Sequence, residues 1–223
     1  MKKHMKRHKV PKNWSIHRKG TTFIVRPSSH LEKGIPVLIA MRDMLGLAQN
    51  RREVKKAIHL NNLLLNNKPI KDERQAIVLF DTLAIIPMKK YYILKLNEKG
   101  KFMLSEIKES ESMKKIAKVT DKKILRGKKT QLNLSDGRNY LSNLKCKTND
   151  SVLIDFKDNK VSGCLELKEK SNVFIFAGKH SGKTGVIEKI KPERKMATVK
   201  MGEEEINVLI KHLMVVDTLK STR

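Results

Sequence analysis

The spacing of hydrophobic residues changes several times along the chain, and the first clear pattern is helical. Residues 35–48, IPVLIAMRDMLGLA, predict a short apolar helix that begins near Pro36, because proline suits the first turn of a helix. A second helix is predicted for RREVKKAIHL, with Asn50 as its N-cap and Glu53 three residues later as in a capping box. Its apolar face is short, with Val54 and Ile58 at helical spacing.

The pattern after the second helix is that of strands. Residues 63–70, LLLNNKPI, predict a strand with a turn at Asn66-Asn67, and AIVLFDTLAII predicts another strand. Helix, helix, strand and strand thus follow one another within residues 35–90. This order resembles the small RNA-binding module of bacterial ribosomal protein number four, pseudouridine synthases and tyrosyl-tRNA synthetases. The resemblance implies that the two helices and the following strand form a basic surface that grips folded RNA.

Residues 91–171 predict a β domain, because hairpin signals recur at short intervals. The turns are predicted at Glu98-Lys99-Gly100, at Ser135-Asp136-Gly137 and at residues 157–160, each between alternating apolar runs. Only ESESMKKIAKV departs from this pattern, and it predicts a brief helix. The spacing favours a small antiparallel barrel or sandwich.

The charge of the chain points to a polyanionic partner. Its 223 residues hold 49 Lys and Arg against 23 Asp and Glu, a formal net charge of +26. Nucleic acid fits best, because phosphate contacts release counterions; a membrane surface is the second candidate.

Since no apolar run approaches the roughly 20 residues of a membrane helix and no signal-peptide pattern opens the chain, we expect a soluble, intracellular protein. Aromatic residues are 4% of the chain, so backbone and shape recognition of folded RNA is favoured over base stacking.

The first residues form a basic arm, assigned to residues 1–34. Residues 1–20 contain no acidic residue and few apolar ones, so we expect the arm to be disordered in the free protein. Such a block is typical of a nucleic-acid-binding arm, and a merely solubilising tail is the alternative. Trp14 and Phe23 are the expected anchors to folded protein. His4 and His8 could share one helix face and bind a metal, but a solvated basic arm is the favoured explanation.

No residue pattern predicts catalysis, a metal or a cofactor. Cys146 and Cys164 lie far apart and form no C-x-x-C pair, so we expect two reduced, partly buried thiols. Asp81 and Asp155 lie in strand-like runs and are expected to face solvent. Because no nucleophile elbow, Cys-His arrangement or metal cluster appears, the sequence predicts that the protein is not an enzyme.

One loop, AGKHSGKT at residues 177–184, is similar to the phosphate-binding loop G-x-x-x-x-G-K-[ST]. Gly178 is one residue too close to Gly182 to complete that pattern, and a β-like run follows where a helix is required. VFIF followed by glycines at 178, 182 and 185 instead resembles the KOW module, a small SH3-like antiparallel barrel. Its glycines permit positive φ, and its lysines face phosphates or, in the alternative interpretation, only solvent.

A second resemblance covers nearly the whole chain. KKTQLNLSDGRN with TNDSVLIDF behind it, and the start MKRHKVPKNW with RPSSH, resemble the archaeal and eukaryotic small-subunit ribosomal protein number four, the "four-e" family. The resemblance implies a structural protein in the cytoplasmic small ribosomal subunit of an archaeon or a related lineage. Its implied partners are small-subunit rRNA and neighbouring ribosomal proteins, with no membrane, small-molecule substrate or homo-oligomer. A KOW-bearing transcription or translation factor acting off the ribosome is the alternative.

The predicted fold class is α+β, in five segments. They are the basic arm (1–34), the helical RNA-binding module (35–90), the central antiparallel β domain (91–171), the KOW-type barrel (172–217) and a tail (218–223). The candidate RNA-binding residues are basic side chains in four of these segments. They are Lys3, Lys6, Arg7, Lys9 and Lys12 in the arm, Arg42, Arg51, Arg52, Lys55 and Lys56 in the helices, Lys128, Lys129 and Arg138 near the central hairpin, and Lys179 and Lys183 in the KOW loop.

Overall fold

The structure is a computed structural model that describes residues 3–29, 31–142, 144–202 and 204–216, without the side chain of Lys128. The chain divides into two compact units. The first unit contains Met1–Asn97 and Lys101–Met113, and the second contains Glu98–Gly100 and Lys114–Arg223. The predicted tail, 218–223, lies outside the described residues.

The N-terminal arm has defined secondary structure in its described residues, whereas the sequence predicts disorder in the free protein. Strands β1 (His4–Lys6) and β2 (Phe23–Val25) pair antiparallel. The Arg7 guanidinium donates to the carbonyl oxygens of His17 (2.6 Å) and Thr21 (2.7 Å), and so fixes the intervening loop. Trp14 is buried, as expected of an anchor. Phe23 is 53% exposed and forms an edge-to-face ring contact with His4 of the same arm, so it is not the buried anchor that the sequence predicts.

The helical part of the first unit follows a short strand. Strand β3 (Gly34–Pro36) pairs with β6 (Ala76–Val78), and α1 (Val37–Ile39) continues as a π-helical turn, Ala40–Met44. Helix α2 spans Arg51–His59.

The predicted N-cap of α2 is confirmed. The Asn50 side chain accepts hydrogen bonds from the backbone N–H groups of Arg52 and Glu53, which satisfies two donors of the first turn. The Glu53 carboxylate in turn accepts from the backbone N–H of Gln49 and from the Asn50 amide. Val54 and Ile58 are buried, as their spacing predicts.

A five-stranded antiparallel sheet in the order β5-β4-β7-β8-β9 completes the first unit. Its strands are β4 (Leu63–Leu65), β5 (Lys68–Pro69), β7 (Thr82–Ile85), β8 (Lys90–Leu96) and β9 (Phe102–Ile107), and α3 (Glu109–Ser112) follows. The boundary predicted after residue 90 therefore falls inside a sheet, because β8 pairs with β7.

The predicted strand AIVLFDTLAII is interrupted at its centre. Phe80 has φ 61°, and the chain turns there between β6 and β7. Asp81 is 3% exposed, and its carboxylate accepts from the Asn66 amide (2.7 Å) and from the backbone N–H of Val78 (2.8 Å). The expectation that Asp81 faces solvent is wrong, because the buried turn requires an acceptor there.

The second unit begins with a five-stranded antiparallel sheet in the order β12-β11-β10-β13-β14. Its strands are β10 (Lys114–Ile124), β11 (Thr130–Leu134), β12 (Asn139–Leu141), β13 (Ser151–Asp155) and β14 (Lys160–Leu165). The predicted hairpins at residues 135–137 and 157–160 are confirmed, with Gly137 and Asn159 at positive φ. The predicted brief helix in 109–119 is limited to α3, and β10 takes the rest.

A second antiparallel sheet in the same unit has the order β18-β17-β16-β15-β19. Its strands are β15 (Asn172–Ile175), β16 (Thr184–Lys191), β17 (Met196–Met201), β18 (Glu204–Leu209) and β19 (Leu213–Val215). Lys118 of β10 contacts the segment at the start of β19. Its ammonium donates to the carbonyl oxygens of Ile210 and of Leu213, the latter at 2.8 Å. Every helix in the described part of the chain is too short or too polar to span a bilayer.

Candidate nucleic-acid interface

Helix α2 presents four cations on its exposed face, as predicted. Arg51, Arg52, Lys55 and Lys56 are all exposed. Arg51 differs from the others, because its Nε donates to the Glu73 carboxylate at 2.9 Å and its terminal nitrogen contacts the same oxygen. Since Glu73 is buried, this ion pair holds the start of α2 against the loop before β6. Arg42 also has an internal partner, Asp43, at 2.8 Å.

The arm offers four further lysines to solvent. Lys3, Lys6, Lys9 and Lys12 are exposed. Arg7 is half-buried, and each of its three guanidinium nitrogens donates a hydrogen bond to the loop that follows. Two of these bonds are described above, and the third goes to the Thr21 hydroxyl at 3.0 Å. Arg7 therefore positions the arm, and the four lysines remain available to an anion.

The central hairpin brings a buried ion pair beside its basic residues. The Lys115 ammonium lies 2.7 Å from the Asp136 carboxylate, and both side chains are buried. Burial alone would raise the pKa of Asp136, but the Lys115 ammonium and Arg138 together outweigh it and hold that pKa below its usual value. The backbone N–H of Arg138 also donates to Asp136 at 3.1 Å. This network fixes the Ser135-Asp136-Gly137 turn.

The remaining candidates near this hairpin differ in exposure. Lys129 is exposed, whereas Arg138 is half-buried, with its guanidinium carbon 5.8 Å from the centre of the Phe156 ring. The side chain of Lys128 lies outside the description. Of the two described side chains, that of Lys129 is the more exposed.

The loop at residues 177–184 leads into a strand, not a helix. Gly178 and Gly182 both have φ 93°, and the backbone N–H of Gly182 donates to the carbonyl oxygen of Ile175 at 2.7 Å, which closes a tight return. β16 starts at Thr184. Because a phosphate-binding loop relies on the amides at a helix N-terminus, this geometry lacks the arrangement for nucleotide binding.

Gly185 serves close packing rather than a left-handed backbone. A Cβ built there would lie 2.6 Å from both the Lys200 carbonyl oxygen and the Val199 side chain. Of the loop's candidates, Lys179 is exposed and Lys183 is half-buried.

The cysteines and acids form no catalytic arrangement in the part of the chain that the structure describes. Cys146 is buried and Cys164 half-buried, and both are free thiols. Burial, with Cys146 beside it, raises the pKa of Cys164 to about 12, so the thiolate is strongly disfavoured. Among the same residues, no three His, Cys, Asp or Glu side chains cluster in a way that could hold a metal ion.

The sequence reasoning missed the cations nearest the β10–β11 turn. Lys123 and Arg126 are exposed there beside Lys129. The run KKILRGKK, five cations in residues 122–129 without an acid, was the available signal. The sequence reasoning also missed Lys118, whose side chain is buried at 4% exposure. Burial lowers the pKa of its ammonium to about 8.

Comparison with known proteins identifies the family of the chain that carries these basic surfaces. Small ribosomal subunit protein eS4 of Methanosphaera stadtmanae is 35% identical over 209 residues, which cover 92% of this chain and 87% of that protein. The corresponding protein of Archaeoglobus fulgidus is 34% identical, with 96% and 92% covered. The chain belongs to the ribosomal S4e family. The resemblance found in the sequence is thereby confirmed.

The S4e family model, described as "Ribosomal family S4e", matches residues 88–161, and the model of the RS4NT domain matches residues 1–29. The first range runs from just before β8 into β14, and the second lies within the basic arm. The crystal structure of the 30S ribosomal protein S4e from Thermoplasma acidophilum has the same fold. It superposes with a TM-score of 0.72 at 23% identity, over 83% of this chain and 95% of that one.

Proposed function

We propose that this chain is a structural constituent of the small ribosomal subunit that binds and braces folded rRNA in the cytoplasm. The observation that carries the proposal is the match to small-subunit eS4 proteins along almost the full length of both chains. A net charge of +26 agrees with it, because many dispersed cations suit a phosphate backbone. Neighbouring ribosomal proteins are the further expected partners.

Four groups of cations would make the RNA contacts. The arm contributes four lysines, α2 contributes Arg52 and the two lysines after it, the central hairpin contributes Lys129, and the 178–183 loop contributes Lys179 and Lys183. Arg7, Arg42 and Arg51, whose charges have partners within the protein, would position these surfaces rather than contact phosphate. The sheet of residues 172–216 would act as a KOW-type, SH3-like barrel beneath its basic loop.

The proposed role involves no catalysis, small-molecule substrate or homo-oligomer. The alternative of a KOW-bearing factor acting off the ribosome has no support among the relatives described above, which are named as ribosomal proteins. Sedimentation of the native protein in a sucrose gradient separates the two: a constituent migrates with small subunits at low and moderate salt, and a free factor stays near the top.

A salt titration of rRNA binding tests the surface of α2. Replacing Arg52, Lys55 and Lys56 together by Gln should weaken binding to transcribed small-subunit rRNA. The slope of log K against log salt should become shallower by about 0.7–0.9 per lost phosphate contact. Arg51 is left intact, because removing it would strand the buried Glu73 carboxylate and confuse binding with folding.

A variant with the same charge change is the control. Lys108, Lys157 and Lys160 are exposed lysines outside the proposed surfaces, and their joint replacement by Gln should leave most of the slope intact. If the two triple variants lose the same affinity and slope, binding follows net charge alone, and α2 is not a contact surface.

A further inference from the structure

The β10–β11 hairpin extends beyond the core that supports it. In β10, residues Lys115 to Val119 are buried, whereas Thr120 to Ile124 are all exposed. Pairing with β11 nevertheless continues to the register Ile124↔Thr130. The turn is closed by the Leu125 N–H on the Lys129 carbonyl oxygen (2.8 Å), with Gly127 at φ 79°. We call residues 122–129 the hairpin tip.

The hairpin tip is strongly basic and is held at its base. It carries five cations and no acid. Lys122 donates to the carbonyl oxygen of Cys146 at 3.1 Å, which ties the outer part of β10 to the loop before β13. Lys123, Arg126 and Lys129 remain exposed. A surface that covers the tip must therefore be anionic.

Ile124 lies among these cations and is the most exposed large hydrophobic side chain in the described part of the chain, at 73%. Its register partner Thr130 is two residues from Leu132, which is fully buried, so Ile124 continues the apolar face of the sheet past the end of its core. Single exposed hydrophobic residues are common and need no partner by themselves. Here the flanking charge restricts what could cover this one.

Folded RNA satisfies both conditions at once. Its phosphates can meet cations on either side of the tip, and its unstacked bases and sugars offer apolar surface between them. Proteins that bind the minor groove of DNA frequently combine basic residues with an apolar wedge inserted at a base step, which shows that the two kinds of contact are compatible. An acidic protein surface would also satisfy the charge, and it is the alternative that the experiment below excludes or supports.

We propose that the hairpin tip inserts into small-subunit rRNA, with Ile124 packed on an exposed base or sugar and Lys123, Arg126 and Lys129 on the flanking phosphates. This inference rests on the proposed function and adds the residue that contributes non-ionic affinity. Ile124 and the cations then leave different signatures. Ile124 contributes affinity that does not depend on salt, whereas the cations set the salt slope.

The test compares rRNA binding by the full-length protein and its Ile124→Thr variant over a range of KCl concentrations. Threonine keeps the β-branched shape that a strand favours and removes apolar surface. We expect affinity for transcribed small-subunit rRNA to fall about five- to tenfold, in keeping with partial loss of a buried Ile contact. The salt slope should stay unchanged, and Ile124→Leu should retain most of the affinity.

Two further variants make the result decisive. Ile86→Thr alters an isoleucine that is 50% exposed in the other unit, and it should leave affinity unchanged. Lys123→Gln with Arg126→Gln should make the slope shallower by about 1.5. If the wild-type protein and Ile124→Thr bind the rRNA equally well, the insertion of Ile124 into rRNA is refuted. The same result is expected if Ile124 contacts another protein instead of RNA. Absence of rRNA binding by the wild type would refute the proposed function itself.

Discussion

The buried ammonium of Lys118 predicts a pH-dependent stability that can be measured directly. Its Nζ lies among backbone carbonyls, and burial lowers its pKa from 10.5 to about 8. Between these two values the unfolded chain binds more protons than the folded one, so the free energy of unfolding rises with pH across this window. At pH 7 both states are protonated, and the full cost of burying the cation is present.

The size of the effect follows from the shift. One pKa unit corresponds to about 1.4 kcal/mol, so relief between pH 7 and pH 10 amounts to about 2–3 kcal/mol. The carbonyls of Ile210 and Leu213 stabilise the charged form and place the effect at the lower end of this range. Lys118→Met, which has a similar length and no charge, should lack this gain.

The assay is urea unfolding of the full-length protein, followed by far-UV circular dichroism at pH 7, 8, 9 and 10. The unfolding free energy of the wild type should approach or overtake that of Lys118→Met as the pH rises. Lys189→Met, at an exposed lysine of the same unit, should run parallel to the wild type and so correct for the titration of surface lysines. Parallel curves for the wild type and Lys118→Met would show that Lys118 is solvated.

Two further predictions concern close packing and a buried acid. Gly185→Ala should destabilise the protein by about 1–3 kcal/mol, because the new methyl group overlaps the backbone of β17; urea unfolding checks it, and Gly163→Ala, where a Cβ meets nothing within 4 Å, should be nearly neutral. Asp81→Ala should cost about 2–3 kcal/mol, since it leaves the Asn66 amide and the Val78 N–H without this acceptor. Asp158→Ala in an exposed turn is its control, and an equal loss in both variants would contradict the buried network.

Features that depend on neighbouring residues could be predicted from the sequence. The Asn50 cap and the hairpin turns at Gly137 and Asn159 are encoded within three or four residues, because capping and positive φ are local properties. The same holds for Asn66 and Asn67, which both have positive φ in the β4–β5 turn. Of the candidate site, the exposed face of α2 was predictable for this reason.

Features that depend on contacts between residues far apart in the sequence could not be predicted. The boundary after residue 90 failed because the hairpin signal of β8 and β9 does not reveal that β8 pairs with β7. Asp81 was misplaced because its partner Asn66 lies 15 residues away. The order of the arm depends on Arg7 reaching residues 10 and 14 positions later. A local pattern of charge and hydropathy contains no information on such contacts.

The same limitation affects how a basic sequence should be interpreted as a binding site. Arg7, Arg51, Lys115 and Lys118 contribute to the net charge as fully as any lysine of α2, but each is engaged with carbonyls or a carboxylate of the protein. Replacing such a residue changes folding, whereas replacing an exposed cation changes the number of counterions that RNA binding releases. Stability and salt slope should therefore separate the cations of this chain into two groups, one that stabilises the fold and one that we expect to contact RNA.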